Sequence, residues 1–205
     1  MRKFVAAAAL SLTLTLGSID ANGDNASASQ AGFVELHDQF EALREDFNQA
    51  KGSVRLLFVV DPTCGGCLRG MDDVNEDLLA ETRDPRLKTF VVHVPVIGAT
   101  RENVVPSKKL IQNQNVTHYW NQSGEFGSQL SRAVGLKRDD AHVYAWDVWL
   151  IYGPEAVWQG AAPPRPLLLM HQLRDMQGSK EFPHLDSVVF ATKVRELLAR
   201  LPPAQ

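Results

Sequence analysis

Cysteine is scarce in this chain: two occur in 205 residues, three positions apart. That excludes a small domain stapled by several disulfides and a four-cysteine zinc site. Neither sign of charge is in large excess. A formal net charge of −3 gives no general reason to expect nucleic acid or an anionic membrane as partner. Internal repeats and low-complexity tracts are also missing. Crossing a bilayer as a helix takes about 20 apolar residues, and the N-terminal run from Phe4 to Leu16 has thirteen. What is present, 44% hydrophobic and 22% charged residues, can bury a core, and the length suits one domain.

Arg2 and Lys3 precede that apolar run, and the small residues Ala26-Ser27-Ala28 follow it. Together they read as a secretory signal peptide over residues 1–28, cleaved after Ala28, with Ala21 as the alternative. Removing it takes away two basic and two acidic residues, so the net charge stays at −3. The expected product is a single domain over residues 29–205, periplasmic, free of the membrane after cleavage, with its thiols in an oxidising compartment.

Hydrophobic spacing then alternates between helix and strand. Phe33, Leu36, Phe40, Leu43 and Phe47 make one helical stripe, stopped at Lys51-Gly52. Val54–Val60 suits a buried strand, and helical spacing at Met71, Val74 and Leu78 follows the cysteines. Leu87–Val96 reads as a second buried strand. Residues 98–125 read as an insertion holding a short helix that opens at Pro106 and an aromatic segment at His118-Tyr119-Trp120. Phe126, Leu130 and Val134 mark a helix ended near Gly135. Val143–Tyr152 is expected as a strand, and Ala156–Gln159 as its hairpin partner across Gly153-Pro154. Pro163-Pro164-Arg165-Pro166 reads as a rigid connection within an extension over 161–205, where Val188 to Leu201 suggest a final helix. The expected class is α/β, a central sheet flanked by helices.

The chemistry rests on Cys64-Gly65-Gly66-Cys67, a C-x-x-C between a buried strand and a helix. There the first sulfur meets unpaired backbone N–H groups and the positive end of the helix dipole, both of which favour the nucleophilic thiolate. Cys64 is expected to attack and Cys67 to resolve the mixed disulfide, with Gly65 and Gly66 permitting a tight turn. A structural disulfide closing so small a loop would remove little chain entropy. An inert buried pair, and a metal site completed through the fold by His93, His118 or His142, remain the alternatives.

At these residues the chain resembles the thioredoxin superfamily, over about residues 33–160. The likeness is carried by LLFVVDPTCGGC (Leu56–Cys67), similar to that family's strand and active-site loop. YAWDVWLIYGPEAVWQG (Tyr144–Gly160) is similar to its closing hairpin. The resemblance implies a thioredoxin-like fold, a central mixed sheet flanked by helices with an insertion and a C-terminal helical extension. It also implies thiol–disulfide exchange without a cofactor. Two departures stand out. Asp147 occupies the position of the family's cis-proline, and Phe58 stands where the family buries an acid six residues before the first cysteine. Asp147 is therefore a candidate to accept the proton of Cys67, a local backbone cap being the alternative. Asp61 is a second candidate acid, although Asp-Pro is also a common turn pair.

Among the remaining residues, Arg69 could favour the thiolate or be a solvated helix face. The four tryptophans could form a docking rim, with Trp146 the one expected beside the site and Trp149 expected in the core. His93 reads as a satisfied core histidine, and His171 and His184 as distant from the site. Asn115-Val116-Thr117 and Asn121-Gln122-Ser123 match the glycosylation pattern. The leading expectation is an exported thiol–disulfide oxidoreductase acting on protein or small-molecule thiols and disulfides. Gly-Gly between the cysteines adds no histidine, which favours a reductant needing a periplasmic electron donor over a strong oxidant. The alternatives are a soft-metal (copper) carrier using Cys64 and Cys67, and a thiol peroxidase using Thr63 and Cys64.

Overall fold

All seven residues of β2 (Val54–Val60) are buried, as expected of a central strand covered on both faces. The computed structural model describes residues 32–203 apart from Gln177, so the expected signal peptide over 1–28 lies outside the described residues. Around β2 the sheet also contains β1 (Val34–Glu35), β3 (Leu87–His93), β4 (Val116–Trp120), β7 (Val148–Tyr152) and β8 (Leu168–His171). Its order is β1-β4-β3-β2-β7-β8. The first four strands in that order run parallel; β7 and β8 are antiparallel to their neighbours. A two-stranded ribbon, β5 (Lys137–Arg138) with β6 (Ala141–His142), stands apart from it.

Period-2 alternation along β2 divides the core. Val54, Leu56, Phe58 and Val60 pack under α2 (Gly65–Val74), which continues as a π-helical turn (Asn75–Leu79), and under α5 (Ser187–Ala199). Leu57 and Val59 face α1 (Glu41–Gln49) and α4 (Glu125–Val134). Gly135 ends α4 with a left-handed φ of 74°, the conformation a helix stop requires.

Several expected elements are corrected. The apolar stripe from Phe33 is not one helix. Residues 34–35 pair with β4, Leu36 N–H donates to Trp120 O (2.8 Å), and α1 starts only after Phe40, whose φ is +56°. Phe33, Leu36, Phe40, Leu43 and Phe47 are nevertheless all buried, the backbone beside the first two pairing with β4 and the last two lying in α1. Helical turns in the insertion begin at Arg101 rather than at Pro106. They run through α3 (Val104–Ser107) to Leu110, and Pro106 falls in the first turn of α3, where an N–H is not needed. The aromatic segment is the strand β4. Residues 143–147 are loop, and the partner of β7 is β8 rather than 156–159. The prolines at 163–166 sit in the long β7–β8 connection, and the stretch beyond them supplies an edge strand and the helix α5. No helix among the described residues is long and apolar enough to cross a membrane.

Candidate active site

Cys64 is the N-cap of α2. Its backbone is extended, and its carbonyl accepts from Leu68 N–H (2.9 Å). First-turn N–H groups are thereby left for its side chain, and Cys67 N–H donates to Cys64 Sγ at 3.3 Å. The S–H of Cys67, then the backbone N–H groups of Cys67 and Gly66, pull the Cys64 thiol down to about 6, against burial and the Asp61 charge. Cys64 is half-buried and therefore reachable. Cys67 is fully buried and moves the opposite way. Its S–H is held by Cys64, burial disfavours its thiolate, and Asp147 adds negative charge, so its pKa is raised.

The third member of the group arrives through sheet register. Val148 pairs antiparallel with Val59, which sets Asp147 beside the C-terminal end of β2, where the cysteine loop emerges. The Cys64 and Cys67 sulfurs and an Asp147 carboxylate oxygen all lie within 4.8 Å of one another. Asp147 has φ +50°, a left-handed conformation that aspartate tolerates better than most residues, and it is 5% exposed. Burial first and the Cys64 charge second push its carboxyl up to about 6. Cys67, the His184 charge and the Trp149 indole act in the opposite direction, although Trp149 Nε1 makes no regular hydrogen bond. Among the described residues no peptide bond is cis.

Gly66 makes this approach possible. It has ordinary helical geometry, so the expected role in a tight turn is replaced by one of space. A Cβ there would lie 3.3 Å from Asp147 Oδ2 and 3.6 Å from Cys64 Sγ. Phe58 lies in the core against Trp149 and Phe190, with ring centroids at 4.7 and 6.0 Å.

Asp61 is fully buried and engaged elsewhere. Its Oδ1 accepts from Thr63 N–H (2.8 Å) and from the Thr63 hydroxyl (2.7 Å); its Oδ2 accepts from Ile97 N–H (2.8 Å). It brackets the cysteine loop to the loop after β3. The same bond commits the Thr63 hydroxyl that a peroxide site would need. Trp120, Trp149 and Trp158 are buried, and only Trp146 borders the cleft. Asn121 is also buried, donating to Leu36 O, so its side chain is no glycan acceptor. His93 is not fully satisfied: Nε2 meets His118 Nδ1 at 3.1 Å, while Nδ1 has no partner.

Three residues at the site had no sequence signal because the C-terminal segment brings them. His171 N–H donates to Pro183 O and Leu185 N–H to His171 O, which carries His184 to the cleft and corrects its expected remoteness. Arg174 follows in a short 3-10 turn. Gln172 N–H donates to Asp147 O (3.0 Å). With its side-chain amide turned so that the nitrogen faces these acceptors, Gln172 donates to Asp147 Oδ1 (2.9 Å) and Gly66 O (3.3 Å), clamping the carboxylate to the cysteine turn.

A central strand thus runs into a C-x-x-C that opens a helix, with parallel strands on one side and an antiparallel pair on the other. The closing helix α5 packs on the same face as the dithiol helix. The fold is thioredoxin-like. No protein-family model matches this thioredoxin-like chain. No curated protein matches it either. Solved structures similar to it include a proposed protein disulfide isomerase from Bacteroides thetaiotaomicron, with TM-score 0.43 and 13% identity over 75% of this chain and 79% of that one. Others are a secreted Mycobacterium tuberculosis disulfide oxidoreductase (0.41, 12%, 73% and 85%) and an exposed lipoprotein thioredoxin from Streptococcus pneumoniae (0.43, 13%, 73% and 88%).

Proposed function

We propose that this chain is an exported thiol–disulfide oxidoreductase working through Cys64 and Cys67, with Asp147 as proton acceptor. The observation that carries the reading is geometric: Cys64 Sγ at the N-terminus of α2, the buried Cys67 sulfur and an Asp147 carboxylate oxygen meet within 4.8 Å. There the Cys64 thiol is lowered and the Asp147 carboxyl raised, each to about 6. The Cys64 thiolate attacks a substrate disulfide, forming a mixed disulfide and releasing one substrate thiolate. Cys67 then loses the thiolate that held its proton, and Asp147 is the neighbouring base. The Cys67 thiolate attacks Cys64 Sγ, closes the Cys64–Cys67 disulfide and releases the second substrate sulfur, which takes the proton from Asp147. Two electrons pass to the substrate, and a periplasmic dithiol donor restores the protein. Export rests on the sequence of residues 1–28.

Equilibration against glutathione tests the reading. The expected result is a reversible two-electron couple between about −270 and −120 mV, the span of related dithiols, together with a mixed disulfide that accumulates in Cys67→Ser. Thiols that neither oxidise nor form that adduct would overturn it. A second reading has one observation in its favour: the same three donor atoms lie close enough to hold a soft cation. Tight Cu(I) binding to the reduced protein, with no disulfide exchange, would select it.

A further inference from the structure

The cleft over Cys64, about 980 Å³, has a charge unlike that of the whole chain. The protein is net negative, yet among the described residues the guanidinium and imidazole side chains around this opening are Arg69, His142, Arg174 and His184, and the carboxylate there is Asp147, itself buried. Those four come from separate segments: α2, the β5–β6 ribbon, the turn after β8 and the loop before α5. All four are exposed. Asp72 and Asp73 lie further along α2, but Arg69 makes no ion pair among the described residues, and neither does Arg174. Among the described residues, Asp139 and Asp140 in the ribbon turn and Asp186 at the N-cap of α5 do not line the cleft.

We propose that this cleft selects a disulfide flanked by carboxylates, carried on an acidic peptide segment of a protein substrate. The inference rests on the exchange reading above and adds the substrate class. Its physical basis is a conflict of sign. A Cys64 thiolate approaching an acidic substrate would be repelled by its charge. Guanidinium groups brought to the opening by two separate segments offset that repulsion, and a low-dielectric wall focuses their field. A peptide is favoured over a small thiol because the opening is at the upper end of the roughly 300–1,000 Å³ of small-ligand pockets. Half-buried Trp146 at its edge offers an aromatic surface for an extended chain.

The test uses the reduced protein and two peptides of equal length, each with one internal disulfide, flanked either by glutamates or by lysines. The Glu peptide is expected to be reduced about 10-fold faster at low ionic strength. The advantage should shrink below about 2-fold near 0.5 M salt, where the Debye length falls to a few ångströms. In the Arg69→Gln/Arg174→Gln double variant the Glu-to-Lys ratio is expected to approach one. Equal rates for both peptides, or faster reduction of the Lys peptide, would overturn the proposal while leaving disulfide exchange intact. Oxidised glutathione reduced as fast as the Glu peptide would overturn the choice of a peptide. Failure to reduce either peptide, with no adduct in Cys67→Ser, would remove the exchange reading and this inference with it.

Discussion

Two ionisable side chains are buried at opposite ends of the β2–β7 ladder, and the fold treats them in opposite ways. At one end Arg55, paired across the ladder with Tyr152, has no exposed surface. Its guanidinium donates to the carbonyls of Phe47 (3.1 Å), Ala156 (2.8 Å) and Gly153, and lies 4.4 Å over the Phe47 ring. Only Nε lacks a partner. Burial lowers its pKa, yet an arginine keeps its proton in any case. At the other end Asp147 lies within 4.8 Å of two sulfurs, which are themselves titratable. A buried charge held by fixed backbone acceptors is a structural clamp; one held by titratable partners is available for chemistry.

The largest effect that would break this comparison is at the clamp. Arg55→Met leaves three carbonyls without their donor and removes the cation–π contact, so it should destabilise the fold by roughly 3–5 kcal/mol. Urea unfolding measures this. Exchange rates per folded molecule should be unaltered, and a comparable loss of exchange activity would mean the two ends are coupled.

Asp147→Asn comes next. With preformed mixed disulfide, resolution in the parent protein should accelerate as pH rises through the Asp147 pKa, which burial keeps above the ordinary carboxylate range once the Cys64 charge is lost. The variant should be slower by on the order of 10²-fold, with that inflection gone. An unchanged profile in stopped flow would remove Asp147 from the proton path. The sign for stability is opposite. The folded-state pKa is raised above the unfolded value, so the favourable contribution is full only below about 3.9 and is lost as pH rises through 6. Above that pH the Asn variant should be more stable by roughly 1–2 kcal/mol.

The smallest effect is at Gly66. A Cβ 3.3 Å from Asp147 Oδ2 displaces the carboxylate by a few tenths of an ångström. Gly66→Ala should therefore slow resolution only a few-fold, while Gly65→Ala, whose Cβ would meet nothing closer than Arg69 Nη1 at 3.6 Å, serves as the matched control.

The sequence carried the parts of this site that depend on local pattern. The β2 run, the C-x-x-C and the helical spacing behind it lie within one short stretch, and period-2 and period-3.6 signals identify them. Asp147 was legible only through the resemblance, because no local signal says which residue will sit beside the end of β2. Nothing marked Gln172, Arg174 or His184, whose positions depend on β8 and on the bridge between His171 and His184. The misread helix from Phe33 and the misread hairpin partner share one cause. Apolar spacing reports burial, but which edge or strand meets the backbone N–H groups is decided by segments far away in the chain.

Phe58, Trp149 and Phe190 fill the space beneath the dithiol, while the carboxylate is delivered from a loop joint at the sheet margin. Acidity and packing therefore meet at one residue, Trp149, whose indole acts on the carboxylate while its rings fill the layer against Phe58. Exchange at 147 would leave Phe58 and Phe190 in place, whereas exchange of Trp149 would disturb the aromatic layer and the carboxylate together.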